Sequence, residues 1–149
     1  MLLDDTQVAI DELLASCQES AEHYADAAGQ TAARPVQALF ESVAARRSAD
    51  ARQLAQAVRD TDRLPRAPYA DRRDLHQLVT QAKAALTDDE LRVLLEDRIV
   101  DERQLRRLVD AALALKPADD EAACAQRIGA HSDEVLERLR AEVSARPNP

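Results

Sequence analysis

The chemistry that this sequence could carry rests on few side chains. His131, Glu102 and Asp50 are of metal-ligating type, Cys17 is one of two thiols, and Arg47 stands three residues before Asp50. A four-helix bundle that holds two bridged irons does so with a Glu from each of two helices and Glu-x-x-His from each of the other two. Here the second long segment offers Arg47-Ser-Ala-Asp50 and the fourth offers Ile128-Gly-Ala-His131. Neither run contains the glutamate. An arginine in a ligand's place is a chemical contradiction, because a guanidinium stays protonated at any working pH and repels the dication it should hold.

Other constellations are weaker. Glu19, Glu22 and His23 share a helical face that reads as solvated charge, and His23 and His76 have no partner spacing for zinc. With two glycines in the chain, a loop that cradles phosphate by close backbone approach is not available. No nucleophile elbow and no Ser/His/Asp spacing is present, so no catalytic residue is expected.

Composition narrows the partners. The formal charge of −8, from 28 acidic and 20 basic side chains, disfavours nucleic acid, which needs a clustered basic face. Cys17 and Cys124 are too few and too far apart in sequence for a disulfide framework or a thiolate zinc site. The start, Met-Leu-Leu-Asp-Asp-Thr, has no basic and apolar signal pattern, and no run has the length to span a bilayer. The expectation is a cytoplasmic protein with reduced thiols and no membrane partner.

The elements that must position these residues are helices. Three aromatics (Tyr24, Phe40, Tyr69) and little β-branched content leave a core of Leu, Val, Ile and Ala, which favours helix. The first segment covers about 5–28, with Ile10, Leu13, Leu14, Cys17, Ala21, Tyr24 and Ala28 as its stripe and Gly29 as its stop. The second, about 35–60, opens at Pro35 and aligns Val36, Leu39, Phe40, Val43, Arg47, Asp50, Leu54, Ala57 and Val58.

A third long helix, about 88–115, follows the capping box Thr87-Asp-Asp-Glu90 and directs Leu91, Leu95, Ile99, Glu102, Leu105 and Val109 inward. A fourth, about 119–144, carries Cys124, Ile128, His131, Val135, Leu139 and Val143. Between the second and third, the Pro-broken stretch Leu64-Pro-Arg-Ala-Pro68 precedes a shorter helix of about 71–86. A connector of roughly 30 residues can cross the length of a bundle helix. The whole chain, 1–149, is expected to form one domain.

The run Cys17-Gln-Glu-Ser-Ala-Glu-His-Tyr24, the pair Leu39-Phe40, Arg46-Arg47 and the connector from Leu75 to Leu86 followed by Asp88-Asp89 resemble an uncharacterised bacterial family of ferritin-like four-helix bundles. The likeness covers most of residues 8–143. It implies an all-α, ferritin-like four-helix bundle with a short helix in the long crossover, and a domain of unknown function. It also implies where ligands would fall: two turns before Tyr24 lies Cys17, the Glu-x-x-His pair of the second helix becomes Arg47 and Asp50, Glu102 (or its neighbour Asp101) fills the acidic position of the third, and Ile128 and His131 stand in the fourth.

The resulting expectation is a vestigial-site core cluster of Cys17, Arg47, Asp50, Glu102, Ile128 and His131, in which Arg47 pairs with Glu102 and Asp50 and no cofactor is bound. His131 is expected to face the core, hydrogen-bonded to an acidic neighbour. Two alternatives stay open: a single divalent ion held by Asp50, Glu102 and His131, and a redox sensor based on Cys17, whose pKa a nearby Arg47 would lower. The reading is a non-catalytic structural or interaction protein, in an accessory role in stress physiology, with an unidentified protein partner or a second copy of itself as a homodimer.

Overall fold

The structure, a computed structural model, describes residues 4–61 and 86–146. These form four long helices: α1 (Asp5–Ala28), α2 (Arg34–Asp60), α3 (Asp88–Ala114) and α4 (Asp119–Ser144). No strand occurs among the described residues. The chain is an all-α four-helix bundle. The short helix expected at about 71–86 lies almost wholly outside the described residues.

Local chemistry sets the helix ends. Asp4 caps α1 by accepting from the Gln7 backbone N–H at 2.8 Å, while the Gln7 side chain returns to the Asp4 N–H at 3.0 Å. Thr87 and Glu90 form the expected capping box on α3. The starts of α2 and α4 lack a side-chain cap. Pro35 in the first turn of α2 and Asp119, Asp120 and Glu121 in that of α4 serve instead, the acids by complementing the helix dipole. Pro117 follows Lys116, which takes φ 53 in the tight α3–α4 turn. In the α1–α2 turn, the Thr31 hydroxyl accepts the Ala33 N–H at 3.1 Å.

α1 packs on α2 and α3, and α4 packs on the same two; α2 and α3 face each other across a diagonal. The backbone bond from Leu86 N–H to Gln30 C=O, 3.1 Å, places the start of α3 at the end of α1. The Thr6 hydroxyl, 3.4 Å from Leu115 C=O, places the end of α3 at the start of α1. α2 and α3 therefore run the same way, and the end of α2 and the start of α3 lie at opposite ends of the bundle.

The apolar stripes meet in two separate clusters. One gathers Ile10, Leu13, Leu14, Cys17, Leu54, Val58, Leu105, Val109, Cys124 and Ile128. The other gathers Tyr24, Val36, Phe40, Val43, Leu91, Leu95, Ile99, Val135 and Leu139. Between them lies a polar layer at mid-height. Ala21 and Val143, expected inward, are only half-buried, as is His131. No helix among the described residues is long and apolar enough to cross a membrane.

Candidate functional site: a buried ion-pair layer

The layer is built around Arg47. Its side chain is 0% exposed and Glu102 is 1% exposed, so both charges have left water. Burial of this kind costs several kcal/mol per ion unless partners compensate. Here they do. Arg47 Nη2 donates to Glu102 Oε1 at 2.6 Å and Nη1 to Oε2 at 3.2 Å, a fork-to-fork pair. Nη1 also donates to Ser20 Oγ at 2.7 Å, and Nη2 to His131 Nδ1 at 3.2 Å. The Tyr24 hydroxyl donates to Glu102 Oε2 at 2.7 Å, and its ring lies 5.9 Å from the guanidinium carbon. Nε of Arg47 has no hydrogen-bond partner among the described residues.

Each helix contributes one part, and periodicity explains the placement. Ser20 and Tyr24 lie one turn apart on α1, three and seven residues after Cys17, so the inward stripe turns polar at mid-height. Arg47 occupies the inward position between Val43 and Leu54 on α2, as Glu102 does between Ile99 and Leu105 on α3. Ser132, beside His131 on α4, donates to the Glu102 backbone carbonyl at 3.3 Å.

Electrostatics follow from burial and from that charge pair. Burial alone disfavours the charged guanidinium, but the Glu102 carboxylate and its hydrogen bonds outweigh this and hold the Arg47 pKa above its usual value. Tyr24 is pushed well above 10.0 by burial, then by the neighbouring Glu102 charge and hydrogen bond. His131 is depressed below 6.5 by burial and by Arg47 and Arg46. Because an arginine only donates, His131 Nδ1 is an acceptor and the ring proton sits on Nε2.

Two expectations and one alternative are corrected at this level. Asp50 does not join Arg47; Arg46 Nε holds both its carboxylate oxygens at 3.2 Å, one helical turn away. His131 has no acidic partner in the layer; its Nδ1 faces the Arg47 guanidinium. The Cys17 thiol is not lowered, because desolvation outweighs the attraction of Arg47 and pushes its pKa up to about 12. His23 Nδ1 lies 3.8 Å from Asp101 Oδ2 at the surface. His76 lies outside the described residues.

These residues do not fit a pair of bridged irons. Arg47 is a permanent cation in a ligand's place, and Ile128 is fully buried and apolar. Cys17 is a protonated thiol at neutral pH, and both Glu102 oxygens are taken. The single-ion set fares no better: Asp50 is bound to Arg46, and His131 Nδ1 to Arg47. Among the described residues no three His, Cys, Asp or Glu side chains converge in a way that could hold a metal.

The structure brings Arg47, Glu102 and His131 together directly, and places Cys17 and Ile128 in the apolar cluster adjoining the layer. Sequence reasoning missed Ser20, Tyr24 as a hydrogen-bond donor, Ser132 and Arg46. Ser20 and Tyr24 were legible in part, since both fall on the inward face of α1. No protein-family model, no curated protein and no solved structure matches the chain.

Proposed function

We propose that this protein is a ferritin-like bundle whose centre is closed by an Arg47–Glu102 ion pair, and that it works without a metal as a structural or interaction protein. The observation that carries this reading is the fully buried Arg47 guanidinium, forked onto both oxygens of Glu102. A cation held there excludes a dication by charge and by volume. The same reading takes the bacterial cytoplasm as the setting, an accessory part in stress physiology as the role, and a protein or a second copy of the chain as the contact, with neither nucleic acid nor membrane involved. It also sets aside the thiol-sensor alternative, because a Cys17 thiol with a pKa of about 12 offers almost no nucleophilic thiolate at neutral pH.

The test is elemental analysis of protein purified without chelator and then incubated anaerobically with ferrous iron and desalted. Less than about one-tenth of an iron per chain is expected, and about two per chain would refute the reading. One firmly held ion per chain, lost on Asp50→Asn or His131→Gln, would favour the single-ion alternative.

A further inference from the structure

The seam between α2 and α4 is not closed by large side chains. Ala38 and Ser42 on α2 and Ala141 on α4 are small, and two adjoining cavities of about 170 and 310 Å3 open along it, sharing Leu39, Ser42 and Arg138. Their chemistry differs. The smaller is lined by Ser42, Arg46, His131, Glu134 and Arg138 over a floor of Val43 and Val135. The larger is walled mainly by Pro35, Ala38, Leu39 and Ala141, with Glu142, already paired to Arg146, also on its lining.

The polar half carries donors in excess. Arg138 borders both cavities and has no hydrogen bond or ion pair among the described residues. Arg46 is held to Asp50 through Nε alone. His131 turns Nδ1 inward to the Arg47 guanidinium, which fixes its proton on Nε2, the nitrogen left for the cavity it lines. Ser42 adds a hydroxyl. Against these stands one carboxylate, Glu134, a single turn before Arg138 on the same helix. A guanidinium, an imidazole N–H and a hydroxyl among the residues lining one small space match a carboxylate head group. The adjoining apolar space matches a short alkyl chain.

We propose that the α2–α4 seam binds a short-chain carboxylate. The head group sits between Arg138, Ser42 and His131 Nε2–H, and the chain extends outward along Pro35, Ala38 and Ala141. The site is separate from the buried ion pair and touches it only through His131. Glu134 competes with the ligand for Arg138 and sets a modest affinity.

The experiment is a titration of the isotopically labelled full chain with sodium hexanoate, followed by nuclear magnetic resonance at the His131 ring and at Ser42 and Arg138. Acetate, inorganic phosphate and hexylamine serve as comparison probes. Saturable shifts confined to the seam are expected, with hexanoate binding about tenfold or more tighter than acetate because its chain is buried. Arg138→Gln should weaken hexanoate by about tenfold, and Glu134→Gln should tighten it. Both side chains are exposed, so the variants keep the fold, which an unchanged spectrum elsewhere checks. Absence of saturation, equal affinity for hexanoate and acetate, phosphate binding as tightly as hexanoate, or equal shifts with hexylamine would each overturn the proposal.

Discussion

Arg47 and Glu102 join two helices that do not pack on each other. The 2.6 Å contact between them runs along the diagonal of the bundle, from α2 to α3, which share α1 and α4 as packing neighbours. Arginine is long enough to make that reach, and its planar fork matches the carboxylate at the far side. The two helical hairpins, α1–α2 and α3–α4, are thereby tied through the centre as well as along their seams.

The strength of that tie can be measured by a double-mutant cycle. Arg47→Leu leaves a buried carboxylate and Glu102→Leu leaves a buried guanidinium, so each single change should cost roughly 3–5 kcal/mol in urea unfolding. The double variant should cost less than the sum by roughly 2–3 kcal/mol, since neither orphaned charge remains. Strict additivity would show that the two groups are not coupled.

Stability should fall on mild acidification through His131. Its folded-state pKa lies below 6.5 because burial, Arg47 and Arg46 oppose a second proton. The unfolded chain binds that proton near 6.5, so the contribution is intact above this value and is lost as pH falls through it toward the folded pKa. His131→Gln keeps an acceptor for Arg47 and removes the titration. The wild type should lose more of its urea midpoint than this variant between about pH 7.5 and pH 5. Parallel losses in the two proteins would assign the effect elsewhere.

Cys17 should be chemically silent in the folded protein. It is fully buried, with its pKa pushed up to about 12. In a Cys124→Ser variant, alkylation followed by mass spectrometry should proceed at the rate of unfolding and should rise by orders of magnitude in urea. Sulfenic acid at Cys17 after stoichiometric peroxide at neutral pH would contradict this.

Gly129 sits where α4 lies close against Arg106 and Val109 of α3. A Cβ built there would stand 2.2 Å from Arg106 Nη1 and 3.0 Å from Val109 Cγ1. The arginine end is flexible and can move, at the expense of the Nη1 contact to Asp110 at 3.3 Å; Val109 is packed and cannot move freely. Gly129→Ala should therefore lose through crowding about what it gains in helix propensity, a net change within about 1 kcal/mol. Gly129→Leu should destabilise by roughly 2 kcal/mol or more. Thermal unfolding of the two variants distinguishes the cases.

The helices were legible because their signals are local. The Thr87–Glu90 box, Pro35 and the apolar stripes fix element type and inward face, and Arg47, Glu102 and Ile128 fall on those stripes by spacing alone. Partner choice was not legible. Asp50 lies three residues from Arg47 and four from Arg46, and both spacings allow an ion pair; only the inward direction of Arg47 leaves Asp50 to its neighbour. Ser20 escaped notice because a hydroxyl on an apolar stripe has no period of its own. Its role appears only once an arginine arrives from another helix.

The polar layer also bears on how the two hairpins can align. Leucine, valine and alanine stripes tolerate sliding, since one turn of displacement replaces one greasy contact by another. Moving α3 by about 5.4 Å against α2 would strand the guanidinium among aliphatic groups and leave Glu102 facing Leu or Ile, far from its counter-charge. A single cross-bundle salt link thus acts as an index mark, selecting one register out of several that hydrophobic packing alone would leave nearly equal in energy.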